Sequence, residues 1–361
     1  MEVSRNARHN ELSPNWFCRW CLCLCLTLLA PGPVTAQTPL GSVATNGPEA
    51  RVIIVADPEA SENLVPVPDK IRAMVNRAIT NLTGKATVAA AWSSLVSTND
   101  IVGLKVLSAP GPNSGTRKDV VAAVVEGLLS TGLPPTNIVV WDRHSVELRL
   151  AGYYELQRRL GIRVAGSVEA GYDEKSQAYD TPLLGTLIYS DLEFGQKAPG
   201  IGRKSYVSKL VTKDITKIIN ITPLLHHNVV GVSGNLFSLA LGSVDNTTRF
   251  ESSAEDLDRA IPEIYALPIL GDRVVLNIVD ALICQYDGQN SGLLQYSAIL
   301  NELRFSRDPV ALDVLSLQEI NHQRELAEDP VTKTNFTLFY NASLLEIGIS
   351  NPHQIKVERL P

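Results

Sequence analysis

Cysteine is nearly missing from this chain beyond its first 36 residues. Four of the five cysteines (Cys18, Cys21, Cys23 and Cys25) lie in the N-terminal segment, and only Cys284 lies further on. One thiol cannot close an internal disulfide or hold an iron–sulfur cluster, so the rest of the chain must be stabilised by its core. Cys284 comes after an apolar run and reads as a small core hydrophobe rather than a nucleophile. A block of Lys and Arg is also missing. The 32 basic residues are scattered among 38 acidic ones, for a net charge of −6, which excludes the electrostatic footprint of a nucleic-acid binder. There is no dinucleotide fingerprint, no phosphate-loop signature and no internal repeat.

The N-terminus carries a targeting pattern. Arg5, Arg8 and Arg19 precede an apolar run from Trp20 to Ala30, Pro31-Gly32-Pro33 breaks it, and Val34-Thr35-Ala36 offers small residues before Gln37. The run is too short to span a bilayer and fits a secretory signal peptide over residues 1–36. Cleavage at Ala36-Gln37 removes those three arginines with Glu2 and Glu11, taking the net charge from −6 to −7. The expectation is an exported protein, periplasmic or extracellular, with no membrane span after cleavage. A polar linker (37–50) then leads into a single α/β domain (51–361).

Within that domain strands and helices alternate. Arg51–Ala56 is an apolar strand, and Pro68–Leu82 is a helix opened by Pro68 and stopped by Gly84. Ile101–Arg143 spells a complete β-loop-α-loop-β unit: strand Ile101–Leu107, helix Thr116–Ser130, a Gly-Pro stop, and strand Asn137–Trp141. Ser145–Leu160 reads as one helix and Ile162–Val168 as a strand. Asp214–Ile221 reads as a strand that stops before Pro223, leaving His226 and His227 on a loop. Ala254–Tyr265 is a helix, Arg273–Asp280 another buried strand, Val310–Leu326 a helix, and Ile355–Leu360 a closing strand. The expected fold is α/β: a mixed, mostly parallel sheet with helices on both faces. In such sheets ligands bind at the carboxyl ends of the strands.

Several residues fall at those ends. The loop Ser108–Asp119, with Asn113, Thr116 as helix cap and Arg117 at the helix start, serves either as an anion cradle or as an ordinary capped connection. Lys105 interrupts an apolar run and needs a buried acid, for which Asp142 and Asp280 are the candidates. It is either a base of lowered pKa or one half of a structural pair. His226 and His227 could ligate a metal with Asp142, Asp280 or Asp287, although adjacent side chains on extended backbone point opposite ways. Arg143 and the Ser233-Gly234 turn complete the set. N-x-S/T sequons occur at Asn81, Asn220, Asn246, Asn335 and Asn341.

The segments Val102–Val106, the helix and turn running on to Arg143, Ile218-Ile219-Asn220, His226–Leu236, Val279-Asp280-Ala281 and Arg307–Asp313 together resemble the bacterial domain-of-unknown-function-362 family. The resemblance implies an α/β fold of undefined activity, here of the secreted kind without a cysteine cluster, and it makes His227 the matching histidine. It also implies lysines two residues before that histidine and after the Ser/Thr-Gly turn, the latter with an asparagine next to it. This chain has Leu225, Phe237 and Ser238 there. Two functions stand as expectations. One is an enzyme acting on a small anionic substrate, with Lys105 or His227 as base, Asp142 or Asp280 orienting it, and Asn113, Thr116, Arg117, Arg143, Ser233 and Gly234 binding. The other is a non-catalytic binding protein that has lost the family lysines. A redox-associated role is disfavoured by the missing cysteines. The residues name no cofactor and leave the metal and the oligomeric state open.

Overall fold

The computed structural model describes residues 49–361, apart from 177, 197–199, 252, 289–291 and 331–334. The expected signal peptide, its cleavage point and nearly all of the linker lie outside the described residues.

Eight strands form the main path of the sheet: β1 (Ala50–Ala56), β2 (Val102–Val106), β3 (Ile138–Asp142), β4 (Arg163–Gly166), β5 (Lys217–His227), β6 (Val274–Gln285), β7 (Ser297–Ser306) and β8 (Ile355–Leu360). Their spatial order is β8-β1-β7-β6-β5-β2-β3-β4. All neighbours are parallel except β1/β7 and β7/β6. This is the mixed, mostly parallel α/β sheet expected. The run VGLKV of β2 is buried at all five positions, as a strand covered on both faces must be.

The period-two alternation sorts side chains to two cores. Leu104, Val106, Val140, Ile219, Ile278 and Phe305 face one side. That core is covered by α1 (Pro68–Thr83), the short helix Val88–Ser93, and α2 (Lys118–Leu129). Val52, Ile54, Trp141 and Ile218 face the other side. There lie α3 (Asn235–Ser243), α4 (Ala254–Tyr265), α5 (Pro309–Leu326) and α6 (Thr337–Leu344). Each fully buried Leu, Val, Ile or Phe contributes about 1.5–3 kcal/mol, and this is what holds the described residues together, whose one cysteine, Cys284, is unpaired.

Three elements depart from the sequence expectation. The strand expected to stop before Pro223 runs through it to His227, so His226 and His227 are strand residues. Pro223 is tolerated because the neighbouring strand bulges at its level. Asp280 faces Pro223, the next pair is Cys284 with Leu224, and Ala281–Ile283 have no partner on that side. The segment 145–160 is two helices, Ser145–Leu150 and Tyr153–Leu160, separated at Gly152, which takes a φ of 88°. Thr116 is not the helix cap. Arg117 occupies that place in extended conformation, and no local side chain caps the helix.

Candidate functional site

Lys105 sits on β2 with its side chain toward α3, where Gly242 leaves room for it: a Cβ on Gly242 would lie 2.3 Å from Lys105 Cε. The lysine is fully buried. Its Nζ donates to Asp142 Oδ1 (2.8 Å), Ser238 Oγ (3.0 Å) and the Val106 carbonyl (2.6 Å). An ammonium has three donors, and all three are used. Asp142, at the end of β3, accepts on its other oxygen from the Ser108 N–H and Oγ, both at 2.7 Å. Burial opposes the charge on Asp142. The Lys105 ammonium and the Ser108 donors outweigh it and hold the carboxyl below its ordinary value. Lys105 and Asp142 thus meet as the sequence suggested, and they also anchor the loop that leaves β2.

Arg117 and Asp280 form a second buried pair. Asp280, in the bulge of β6, accepts from the Arg117 backbone N–H (2.9 Å) and from Nη1 (3.0 Å). Arg117 Nη2 reaches the carbonyl of Asn113 (2.7 Å), whose side chain is exposed. The positive end of α2 therefore meets the protein's own carboxylate, supplied across the sheet. Thr116 ties the sheet instead of the helix. Its Oγ1 donates to the Ile221 carbonyl (2.8 Å) and accepts from Leu107 N–H (3.1 Å).

The same device recurs at α3. Asp313 of α5 accepts from the N–H groups of Asn235 (2.7 Å) and Leu236 (2.9 Å) and from Asn235 Nδ2 (3.0 Å). Burial pushes this carboxyl up to about 6, against the pull of those donors. Gly234 is the residue that lets Asp313 approach, since a Cβ there would lie 2.3 Å from Oδ1. Ser233 is buried and its N–H donates to the Leu225 carbonyl (2.8 Å). Sequence reasoning passes over Asp313 as a site residue, although it closes the Arg307–Asp313 segment on which the family resemblance rests.

His227 turns inward to its own chain. Its Nδ1 accepts from Val229 (3.2 Å) and Val230 (3.3 Å), and its ring packs against Phe237 at 4.5 Å between centroids. Burial pushes the imidazole down to about 4, so it is neutral near pH 7. His226 is pushed to about 4 by burial and by Arg324, and its Nδ1 lies 3.7 Å from Asp287. Among the described residues no group of three or more His, Cys, Asp or Glu side chains comes together to hold a metal ion.

The open space lies one residue beyond the first pair. A cleft of about 350 Å³ at the carboxyl ends of β2 and β3 is lined by Asp142, Arg143, His144, Glu147, Phe237 and Ser238, among others. Of the residues selected from sequence, the cleft takes Asp142 and Arg143. Asn113, Thr116, Arg117, Asp280, His227, Ser233 and Gly234 do not line it. Arg143 donates through Nη1 to Thr247 Oγ1, while its buried Nε has no partner. Burial and the nearby Asp142 charge push Glu147 up to about 7, against Arg143 and Lys105. Burial and Arg143 lower the pKa of His144, which keeps that ring neutral. Glu147 escapes a sequence reading because in a helix it looks like one more surface acid. Its proximity to Asp142 is the signal, and only the fold supplies it.

No curated protein matches this chain. A solved protein of Thermotoga maritima superposes with a TM-score of 0.37 at 11% sequence identity, over 73% of this chain and 59% of that one. The chain thus spans less than two thirds of that protein's length. Residues 102–318 match the family described as Domain of unknown function (DUF362). That stretch runs from the Lys105 strand through Asp142, Arg143, His227 and Asp280 to the Asp313 helix. The match covers more than half of the chain, and this chain is a member of that family.

Proposed function

We propose that this protein binds a small acid-bearing molecule in the cleft at the ends of β2 and β3, and that Glu147 exchanges a proton with it. The observation that carries this is the contrast inside the cleft wall. Asp142 is fully hydrogen-bonded, while Arg143 Nε has no partner and Glu147 sits near neutrality. A guanidinium N–H needs an acceptor, and a carboxylate or phosphate oxygen is the natural one. A carboxyl that titrates near pH 7 is suited to give or take a proton at working pH. Lys105 holds Asp142 in the cleft wall with all three of its donors occupied, which favours binding over chemistry at that amine. We also propose that the chain acts outside the cytoplasm, on the strength of its N-terminal pattern. N-terminal sequencing of the natively produced protein tests this, and an intact Met1 in the cytoplasm overturns it.

Calorimetric titration with inorganic phosphate and with malonate, in two buffers of different ionisation heat at pH 7, tests the site. Saturable binding with proton uptake is expected, because an anion beside Glu147 favours its protonated form. Arg143→Ala should weaken binding by about tenfold, the worth of one charge-assisted hydrogen bond. Glu147→Gln should bind malonate, which is almost fully ionised at pH 7, and show no proton uptake with it. Failure of both probes to saturate, or equal binding by Arg143→Ala, sinks the proposal.

A further inference from the structure

A second, larger recess lies further along the helical layer formed by α3, α4, α5 and α6. Helices α4 and α6 pack side by side and leave a groove of about 680 Å³ between them. That volume is within the range of small-molecule sites. Its walls combine carboxylates with aliphatic side chains: Glu255, Asp258 and Glu263 from α4, Asn335 before α6, and Leu344 and Leu345 at the end of α6. The two leucines are 63% and 44% exposed and give the groove an apolar edge.

Asp258 is the anomaly. It is only 4% exposed, and its Oδ1 has no hydrogen-bond partner. Its Oδ2 accepts from Asn335 Nδ2 (2.6 Å), and its backbone carbonyl accepts from Asn341 Nδ2 (3.0 Å), so the residue is held in place from the α6 side. Arg259, the cation among the described lining residues, lies beside Asp256 at 3.8 Å and not beside Asp258. Glu263 has its carboxylate partnered by the Tyr179 hydroxyl, and Glu255 is exposed at the groove mouth. A buried carboxylate oxygen without a donor is costly, and it contrasts with Asp142, Asp280 and Asp313, whose oxygens are all occupied from within.

We propose that this groove binds a small organic cation, with a primary ammonium or guanidinium group at Asp258 and an aliphatic body along Leu344 and Leu345. The ammonium would supply the donor that Oδ1 lacks, Glu255 would add attraction at the mouth, and the leucine edge would cover the alkyl part. Burial raises the Asp258 pKa, against the Asn335 donor, so a proton competes with the ligand for this carboxyl. Affinity should therefore fall as the pH is lowered through the carboxylate range.

The test is calorimetric titration of the whole protein with n-hexylammonium, with hexanoate as the control of opposite charge. Saturable binding of the amine and none of the acid is expected. Asp258→Asn should weaken it by about tenfold or more, and Glu255→Gln by less, because the latter charge is exposed. Arg143→Ala, in the other cleft, should leave amine binding unchanged. This groove therefore stands or falls separately from the anion site. If Asp258→Asn does not fold, the loss of affinity at low pH in the wild type and the smaller loss in Glu255→Gln decide the matter. Equal binding of amine and acid, no saturation by the wild type, or unchanged affinity in both variants overturns the proposal.

Discussion

Asp142 and Arg143 are neighbours in sequence and opposite in circumstance. Asp142 ends β3 facing Lys105, and both of its oxygens are occupied by donors from β2 and the loop after it. Arg143 is the first residue beyond the strand. It lines open space with one N–H unmatched, in the same cleft wall as a glutamate that titrates near neutrality. A charge inside the sheet end must be matched by the protein itself, because water cannot reach it. A charge one step further out can be left for a ligand. The step from a charge matched within the scaffold to one that lines the cleft is therefore one residue wide, and burial places it there.

The largest effect expected from breaking this comparison is on stability. Lys105→Ala strands the Asp142 carboxylate in the interior and should cost about 3–5 kcal/mol in urea unfolding. Arg143→Ala, on the open side, should stay within about 1 kcal/mol. Similar losses in the two variants would remove the distinction between the buried and the open charge.

Next comes the Asp313 approach to α3. Gly234→Ala places a methyl 2.3 Å from Asp313 Oδ1 and should destabilise by about 1–3 kcal/mol, measured the same way. A neutral result would mean that the carboxylate can withdraw without loss, and that the helix end is free to take an outside anion.

Titration sharpens the contrast through its sign. Asp142 has a depressed folded pKa, so its contribution is present above the ordinary carboxylate value and is lost as pH falls through the depressed one. Glu147 goes the other way, from 4.5 to about 7 on folding. The folded state holds a proton there that the unfolded chain releases, so its contribution is present below 4.5 and is lost as pH rises to about 7. Glu147→Gln should accordingly flatten the fall in unfolding free energy between about pH 5 and about pH 7.5 relative to wild type. An unchanged slope would mean that Glu147 is solvated like any surface acid. The smallest effect belongs to the loop. Asn113→Ala, with its side chain exposed and only its carbonyl engaged, should change stability by less than about 0.5 kcal/mol.

Much of the fold was legible. The apolar runs and the Gly and Pro stops marked β1, β2, β3, α1 and α4 within a residue or two, because those patterns are local. Pro223 misled for the same reason. Taken alone it ends a strand, and it is accommodated only because β6 bulges beside it. The Lys105–Asp142 pair was legible as a requirement, since a buried lysine needs an acid. The choice of Asp142 over Asp280 was not, because the two partners are separated by 37 and 163 residues from the groups they meet.

By itself the sequence determined the alternation of strand and helix, the reliance on a core in place of disulfides, and the need to neutralise each polar residue set in an apolar run. It did so because these come from side-chain period and from the cost of burying charge. The tertiary structure alone decided how those needs were met. Strand register lines up Lys105, Asn220, Asn277 and Ser306 across four strands, and it brings Asp280 to α2 and Asp313 to α3. Pairing between distant segments has no local signature, since any buried donor accepts any carboxylate within reach. Which charges are consumed by the scaffold, and which are left facing the cleft, was therefore settled by packing.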